Sequence, residues 1–292
     1  MDKAKFINLL GDLPVKAPLN LEIIEDQDCG SYTRKKILFS SESNERISAY
    51  LCIPNDSKMM AAIYCFHQHA GNYLLGKSEV VGIRGDKSLA YAHELAELGF
   101  VTLSPDAIGF EERAGTKDPR FFHLNNLHER LLKNQTLLGK VLFDVSAGID
   151  LLRSLREVDS KKIGFIGHSY GGRTALFAPA FDDRIKVSVS NCGSTFYKDM
   201  IEAKTGIQFD YVVPNILKYG DIDSVINLFT NTDLLVLGAD DDKWSLSLLK
   251  IEDKCSHRFV KNELKIKTFE GKHEFPSNIR LEAYEFLKKS LN

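Results

Sequence analysis

Apolar residues follow two rhythms along this chain. In the first third, segments 19–26, 34–41 and 46–54 alternate apolar with polar residues or carry β-branched ones. That pattern predicts strands, because successive side chains on a strand point to opposite faces. The turn-formers Asp28-Cys29-Gly30 and Ser43-Asn44 separate them. From residue 61 onward, short apolar runs at 61–67, 100–104, 161–167, 184–190, 234–239 and 264–271 read as further strands, the most apolar of them buried on both faces. Between them, segments 88–99, 136–155, 170–180 and 279–291 read as helices. In the second of these, Leu137, Val141, Val145, Ile149 and Leu152 recur at helical spacing.

Strands alternating with helices imply parallel βαβ units with right-handed crossovers. Two stretches, 105–135 and 191–231, are longer than an ordinary connection and are expected to be cap or binding insertions. No repeat, low-complexity tract or Pro/Gly/Ser-rich linker interrupts the chain, so residues 1–292 are expected to form one domain, with 191–231 as its cap insertion.

Composition narrows the function. The 292 residues are 43% hydrophobic, enough for a sizeable core. The 38 basic and 40 acidic residues give a net charge of −2, no footprint for nucleic acid or an anionic membrane. No apolar run approaches the roughly 20 residues that span a bilayer. The segment MDKAKFINLLGDLPVKAP lacks the apolar region and cleavage site of a signal peptide. Five scattered cysteines form no CxxC pair and no metal spacing, so free thiols in a reducing cytoplasm are expected, with no metal or cofactor.

The candidate chemistry begins at Gly167-His168-Ser169-Tyr170-Gly171, a G-x-S-x-G motif between an apolar strand and a helix. A nucleophile there must sit on a sharp turn that lifts its hydroxyl above the sheet, and the flanking glycines remove side chains that would collide. Neither common phosphate-loop pattern fits the segment. Serine needs a neighbouring base at neutral pH, and chain order places it after the last strand. His273, in Glu270-Gly271-Lys272-His273, is in that position, whereas His257 precedes the last strand in a polar stretch. The acid should follow the strand at 234–239, where Asp240, Asp241 and Asp242 stand together. A Gly-x-x-Asp turn favours Asp241 over Asp240. Trp244, just beyond, shields this loop or simply packs. The two oxyanion donors are expected to be the backbone N–H groups of Tyr170 and of His69, the latter in the loop after strand 61–67. Read as a metal pair, His67 and His69 would point to opposite faces and lack a third ligand.

These residues resemble the dienelactone hydrolase-like and acetyl xylan esterase-like branch of the α/β-hydrolases. The similarity runs from about residue 45 to the C-terminus. It is carried by FHQHAGNYLLGKSE (66–79), LGFVTLSPDAIGFEER (98–113), IGHSYGGRTALFAPAF (166–181), LLVLGADDDKW (234–244) and FEGKHEFP (269–276). The resemblance implies the α/β-hydrolase fold, a mostly parallel sheet flanked by helices with antiparallel strands at its start. It also implies a triad of Ser169, Asp241 and His273, with Tyr170 and His69 as oxyanion donors. Dienelactone hydrolases proper use a cysteine nucleophile. Ser169 departs from that, so hydrolysis of small-molecule esters by a serine carboxylesterase is the expected activity.

Aromatic residues of 191–231, among them Phe196, Tyr197, Phe209 and Tyr211, are expected to pack the cap or line an acyl pocket. A Glu79–Arg113 pair is a structural candidate near the mouth. Two further readings are a peptidase of the prolyl oligopeptidase type and a non-catalytic ligand receptor. About 60 residues precede the hydrolase core, too few for the propeller of the former.

Overall fold

The computed structural model describes residues 1–56, 58–115 and 118–292. Its strands are β1 (Glu22–Asp28), β2 (Tyr32–Phe39), β3 (Ile47–Pro54), β4 (Met60–Phe66), β5 (Val101–Pro105), β6 (Val158–His168), β7 (Ile185–Asn191), β8 (Asp233–Ala239) and β9 (Leu264–Phe269). They form one sheet in the order β1-β2-β3-β5-β4-β6-β7-β8-β9. The pairings β1–β2, β2–β3 and β3–β5 are antiparallel. Every pairing from β5 through β4 to β9 is parallel. This is the expected α/β-hydrolase arrangement, with the order reversing between β5, β4 and β6.

The strands in the middle of the sheet are buried on both faces, as their unbroken apolar runs require. One face is covered by helix Leu137–Ser154 and helix Lys3–Leu9, whose Phe6 is fully buried. The other is covered by helices Tyr91–Glu97 and Ser277–Leu291. The long helix starts at Thr136, whose Oγ1 accepts a hydrogen bond from the Gly139 N–H at 3.0 Å.

Some expectations shift. The first strand starts at Glu22, and all of β1 is exposed. Its alternation decorates an edge, where charges discourage pairing with another chain. The helix expected over 170–180 is two short pieces, Tyr170–Ala175 and Ala178–Phe181, with Pro179 opening the second. Of the two long stretches, 105–135 holds a 3₁₀ turn at Glu111–Arg113 and helix Pro119–Leu132. Stretch 191–231 is a run of short helical turns: Tyr197–Glu202, Phe209–Tyr211, Ile216–Tyr219 and Ile222–Ile226.

Glu79 and Arg113 do not pair. Glu79 accepts from Gln68 Nε2 at 2.9 Å and from the Asp86 N–H at 3.1 Å. Arg113 instead donates to the Asp106 carbonyl and to Asp144, both at 2.9 Å, and contacts Glu45. Neutral donors satisfy Glu79, whereas acids from other segments take up Arg113. Lys140, only 1% exposed, completes that cluster through Asp144 at 2.7 Å and Glu42 and Glu45 at 2.5 Å. The network ties the segment between β2 and β3 to the long helix. Removing one member strands the others as buried, unbalanced charge. Lys140→Met is therefore expected to lower the unfolding free energy by about 3–5 kcal/mol, measured by urea denaturation. A loss within experimental error would mean that the carboxylates rehydrate freely.

Candidate active site

β6 ends at His168, and the chain turns at once into helix Tyr170–Ala175. Ser169, at the corner, has φ 57° and ψ −111°, a conformation that non-glycine residues rarely adopt. The corner is held by the Ser169 N–H donating to the Asn191 carbonyl at 2.8 Å and the Arg173 N–H donating to the Ser169 carbonyl at 2.8 Å. Glycine is required on both sides. A Cβ on Gly167 would lie 2.2 Å from the Gly171 carbonyl carbon, and one on Gly171 would lie 2.1 Å from the Phe66 carbonyl oxygen. A third close approach was not anticipated: a Cβ on Gly172 would lie 2.2 Å from the Asn191 carbonyl oxygen. The signal was present in the doubled glycine of Tyr170-Gly171-Gly172.

The structure brings His273 to Ser169. Its Nε2 lies 2.7 Å from Ser169 Oγ. On its other side, His273 Nδ1 lies 3.0 Å from a carboxylate oxygen of Asp242. The expected acid, Asp241, is exposed and makes no such contact. The backbone explains the correction. The Asp240 and Asp241 N–H groups continue the β8–β9 pairing, donating to the Phe269 carbonyl at 3.0 Å and the Gly271 carbonyl at 3.1 Å. The turn therefore begins one residue later than Gly-x-x-Asp assumes, and the third aspartate comes back over the strand end. Asp240 is spent on the Gly271 N–H at 3.0 Å. His257 is exposed, as expected.

Asp242 is built to stay ionised. Burial alone would raise its pKa. That is outweighed by hydrogen bonds from His273 and from Ser245 Oγ, the latter at 2.6 Å, by the His273 charge and by the Trp244 N–H at 3.0 Å, so the carboxyl titrates below its ordinary value. With a carboxylate at Nδ1, the imidazole carries its proton there and presents a free Nε2 to the hydroxyl. Trp244 is half-buried and lines a small hollow beside Ser169 with Cys192, Met200 and Gln208.

Tyr170 N–H opens the helix and so has no intrahelical acceptor. The Tyr170 side chain is an anchor that the sequence did not announce. Its hydroxyl donates to Asp210 at 2.8 Å, and the other Asp210 oxygen meets His123 Nε2 at 2.9 Å. Tyr211 adds a hydroxyl donated to the Tyr170 carbonyl at 2.7 Å. Both long stretches are thereby bolted to the residue after Ser169. Burial opposes charge on either member of the His123–Asp210 pair, but their attraction prevails: the imidazole is pushed up and the carboxyl down.

His69 packs edge-on against Tyr73 and Phe110, with ring centroids 4.7 and 5.0 Å away, and is 6.1 Å from the Tyr170 ring. Its Nδ1 accepts from the Gly71 N–H at 2.9 Å. His67 has Nδ1 against the Gln68 carbonyl at 2.7 Å and Nε2 accepting from the Ala107 N–H at 3.1 Å, so both its nitrogens are committed. Among the described residues, the one cluster with metal-ligand spacing is Cys192, Asp242 and His273, within the site itself. No helix among the described residues is long and apolar enough to cross a membrane.

Residues 47–232 match the dienelactone hydrolase family. YtaP of Bacillus subtilis (strain 168) is 30% identical over 221 residues, covering 74% of this chain and 72% of that protein. Two solved structures share the fold. A glucuronoyl esterase from Solibacter usitatus superposes with a TM-score of 0.72 at 16% identity, covering 99% of this chain and 92% of its own. Acetyl xylan esterase 1 from Thermoanaerobacterium sp. JW/SL YS485 gives 0.65 at 15% identity, covering 100% and 99%.

His67 and His168 give the site a built-in acid sensitivity. Burial, first of all, pushes His67 down to about 4, and burial with the neighbouring His273 charge pushes His168 down to about 3. In the unfolded chain a histidine titrates near ~6.5. Between those values the unfolded state binds more protons, so stability is full above about pH 6.5 and falls as pH drops. At pH 5 each ring is expected to cost about 2 kcal/mol. Urea midpoints at pH 7 and pH 5 test this. His168→Gln should flatten the dependence, and an unchanged slope in that variant would assign the acid loss to other groups.

Proposed function

The chain belongs to the dienelactone hydrolase family, and on that premise we propose that it is a serine hydrolase cleaving carboxylic esters of small molecules through an acyl-enzyme. The carrying observation is the hydrogen-bonded series Ser169–His273–Asp242, with contacts of 2.7 and 3.0 Å. The whole chain acts as one catalytic domain, with 191–231 capping the site.

In this mechanism His273 Nε2 takes the Ser169 proton as Oγ attacks the ester carbonyl. Asp242 stabilises the imidazolium and holds its tautomer. The N–H groups of Tyr170 and His69 receive the developing oxyanion, the kind of contact worth about 3–4 kcal/mol of barrier. The anchoring of Tyr170 by Asp210 and Tyr211 fixes the first of these donors before substrate arrives. His273 then gives its proton to the leaving alcohol and activates water on the other half of the cycle.

Two observations bear on the substrate, the structural neighbours and the size of the site. A glucuronoyl esterase and an acetyl xylan esterase share the fold, which supports sugar-derived esters as the class to try first. The hollow beside Ser169 is small, about 10 Å³, which favours a short acyl group. Five unpaired cysteines favour a reducing compartment.

The test is direct. Wild-type protein should react with a fluorophosphonate at Ser169 and turn over p-nitrophenyl acetate faster than p-nitrophenyl octanoate. Ser169→Ala should abolish both labelling and turnover. Asp242→Asn should lower kcat by about 10³–10⁴, whereas Asp241→Asn should stay within about twofold, since surface changes seldom matter. Undiminished esterase activity in Ser169→Ala would refute the proposal, and a larger loss at 241 than at 242 would refute the assignment of the acid.

A further inference from the structure

Three side chains from three separate loops meet beside Ser169. Cys192 follows β7, Asp242 follows β8 and His273 follows β9. The sulfur, a carboxylate oxygen and a ring nitrogen all lie within 4.8 Å of one another. Spacing along the chain could not show this set, because its members are far apart in sequence. Ester hydrolysis uses two of the three and leaves Cys192 without a part. Its Sγ donates weakly to the Glu274 carbonyl at 3.6 Å. Cys192 is fully buried and Asp242 nearly so, whereas the His273 side chain is 31% exposed and gives the cluster an open side.

Thiolate, imidazole and carboxylate are the ligands that Zn²⁺ takes, and three protein ligands with one open position is a common zinc arrangement. Magnesium and calcium prefer oxygen throughout. Tetrahedral bonds of about 2.0–2.3 Å separate ligand atoms by roughly 3.3–3.6 Å. The Asp242–His273 contact of 3.0 Å must therefore open slightly, and no pair has to close by more than about an ångström. Ser245 Oγ donates to the other Asp242 oxygen at 2.6 Å and orients the carboxylate, as an outer shell does around a metal. The hollow lined by Cys192 and Ser169 measures about 10 Å³, the space of one water, and suits the fourth ligand. Arg173 lines the same hollow, donates to the Thr195 carbonyl at 2.6 Å and packs against the rings of Tyr197 and Tyr211. A thiolate and a carboxylate together balance a dication, so a filled site adds no net charge beside it.

We propose that Cys192, Asp242 and His273 form an inhibitory Zn²⁺ site. The ion bonds to the Cys192 sulfur, to the Asp242 carboxylate and to the His273 Nδ1 that faces it. The Cys192 S–H bond breaks and its proton leaves to solvent, because a metal-bound thiol is deprotonated. The imidazole loses its proton at Nδ1 and gains one at Nε2, so the exchange releases one proton in all. Nε2–H then donates to Ser169 Oγ, and the hydroxyl is left without a base. Binding stands on the geometry of the three ligands alone. The inhibition rests on the serine-hydrolase reading above and extends it to control by a metal ion.

The probes are Co²⁺ and Zn²⁺, added to reduced protein stripped of metal with a chelator. Co²⁺ should give a thiolate-to-cobalt charge-transfer band in the near ultraviolet at one ion per chain, and an equal amount of Zn²⁺ should abolish it. Micromolar Zn²⁺ should slow ester turnover and fluorophosphonate labelling of Ser169 at least tenfold, EDTA should restore both, and Mg²⁺ should affect neither. Cys192→Ser should lose the band and need at least tenfold more Zn²⁺ for half-inhibition, measured against its own metal-free rate. A band that persists in that variant, or an unchanged half-inhibition, overturns the proposal. So does wild-type protein that gives no band or keeps full turnover in Zn²⁺, a result that stands even if the variant fails to fold. A cobalt band lost in Cys192→Ser, with no ester turnover and no labelling of Ser169, would overturn the serine-hydrolase reading and its inhibition while leaving the metal site in place.

Discussion

The site depends on one backbone constraint: the reversal at Ser169 between β6 and its helix. That residue holds a positive φ that costs an ordinary side chain of order 1–3 kcal/mol, and the helix behind it is pressed against the end of β4. Only glycine fits where Gly171 meets the Phe66 carbonyl. The same closeness puts the helix N-terminus, the end of β4 and the end of β7 within one small volume. The loops leaving those strands then converge without further design: 67–72 after β4, Cys192 and Gly193 after β7, and Asp242 after β8.

Much of this could be read from residues alone. The strand-then-βα rhythm pointed to the sheet and its direction change, because parallel neighbours need a long crossover, here a helix, while antiparallel ones can be joined by a short turn. Ser169 and His273 were legible because each is fixed by local geometry at a strand end. Asp242 was not. Three consecutive aspartates offer no chemical distinction, and the choice rests on how far the β8–β9 ladder continues, a tertiary property. The His123–Asp210–Tyr170 contact was equally hidden, since its members come from three separated segments and each alone looks like ordinary loop polarity.

Two of the regions of buried charge show contrasting uses of the same physics. Around Lys140 and Arg113, acids and bases neutralise one another and the result is a clamp. Around Arg173, neutralisation is left to aromatic faces and a single carbonyl. The second lies beside Ser169.

The bolt between Tyr170 and the long insertion has a consequence for how such enzymes diversify. Because Asp210 and Tyr211 grip the residue that follows Ser169, the insertion belongs to the frame of the candidate site. Replacing the insertion with a foreign segment would loosen that frame unless the graft brought its own acid and phenol to the same spots. Lineages descended from this architecture are thus freer to vary the rim of the insertion than the short stretch that carries those two side chains.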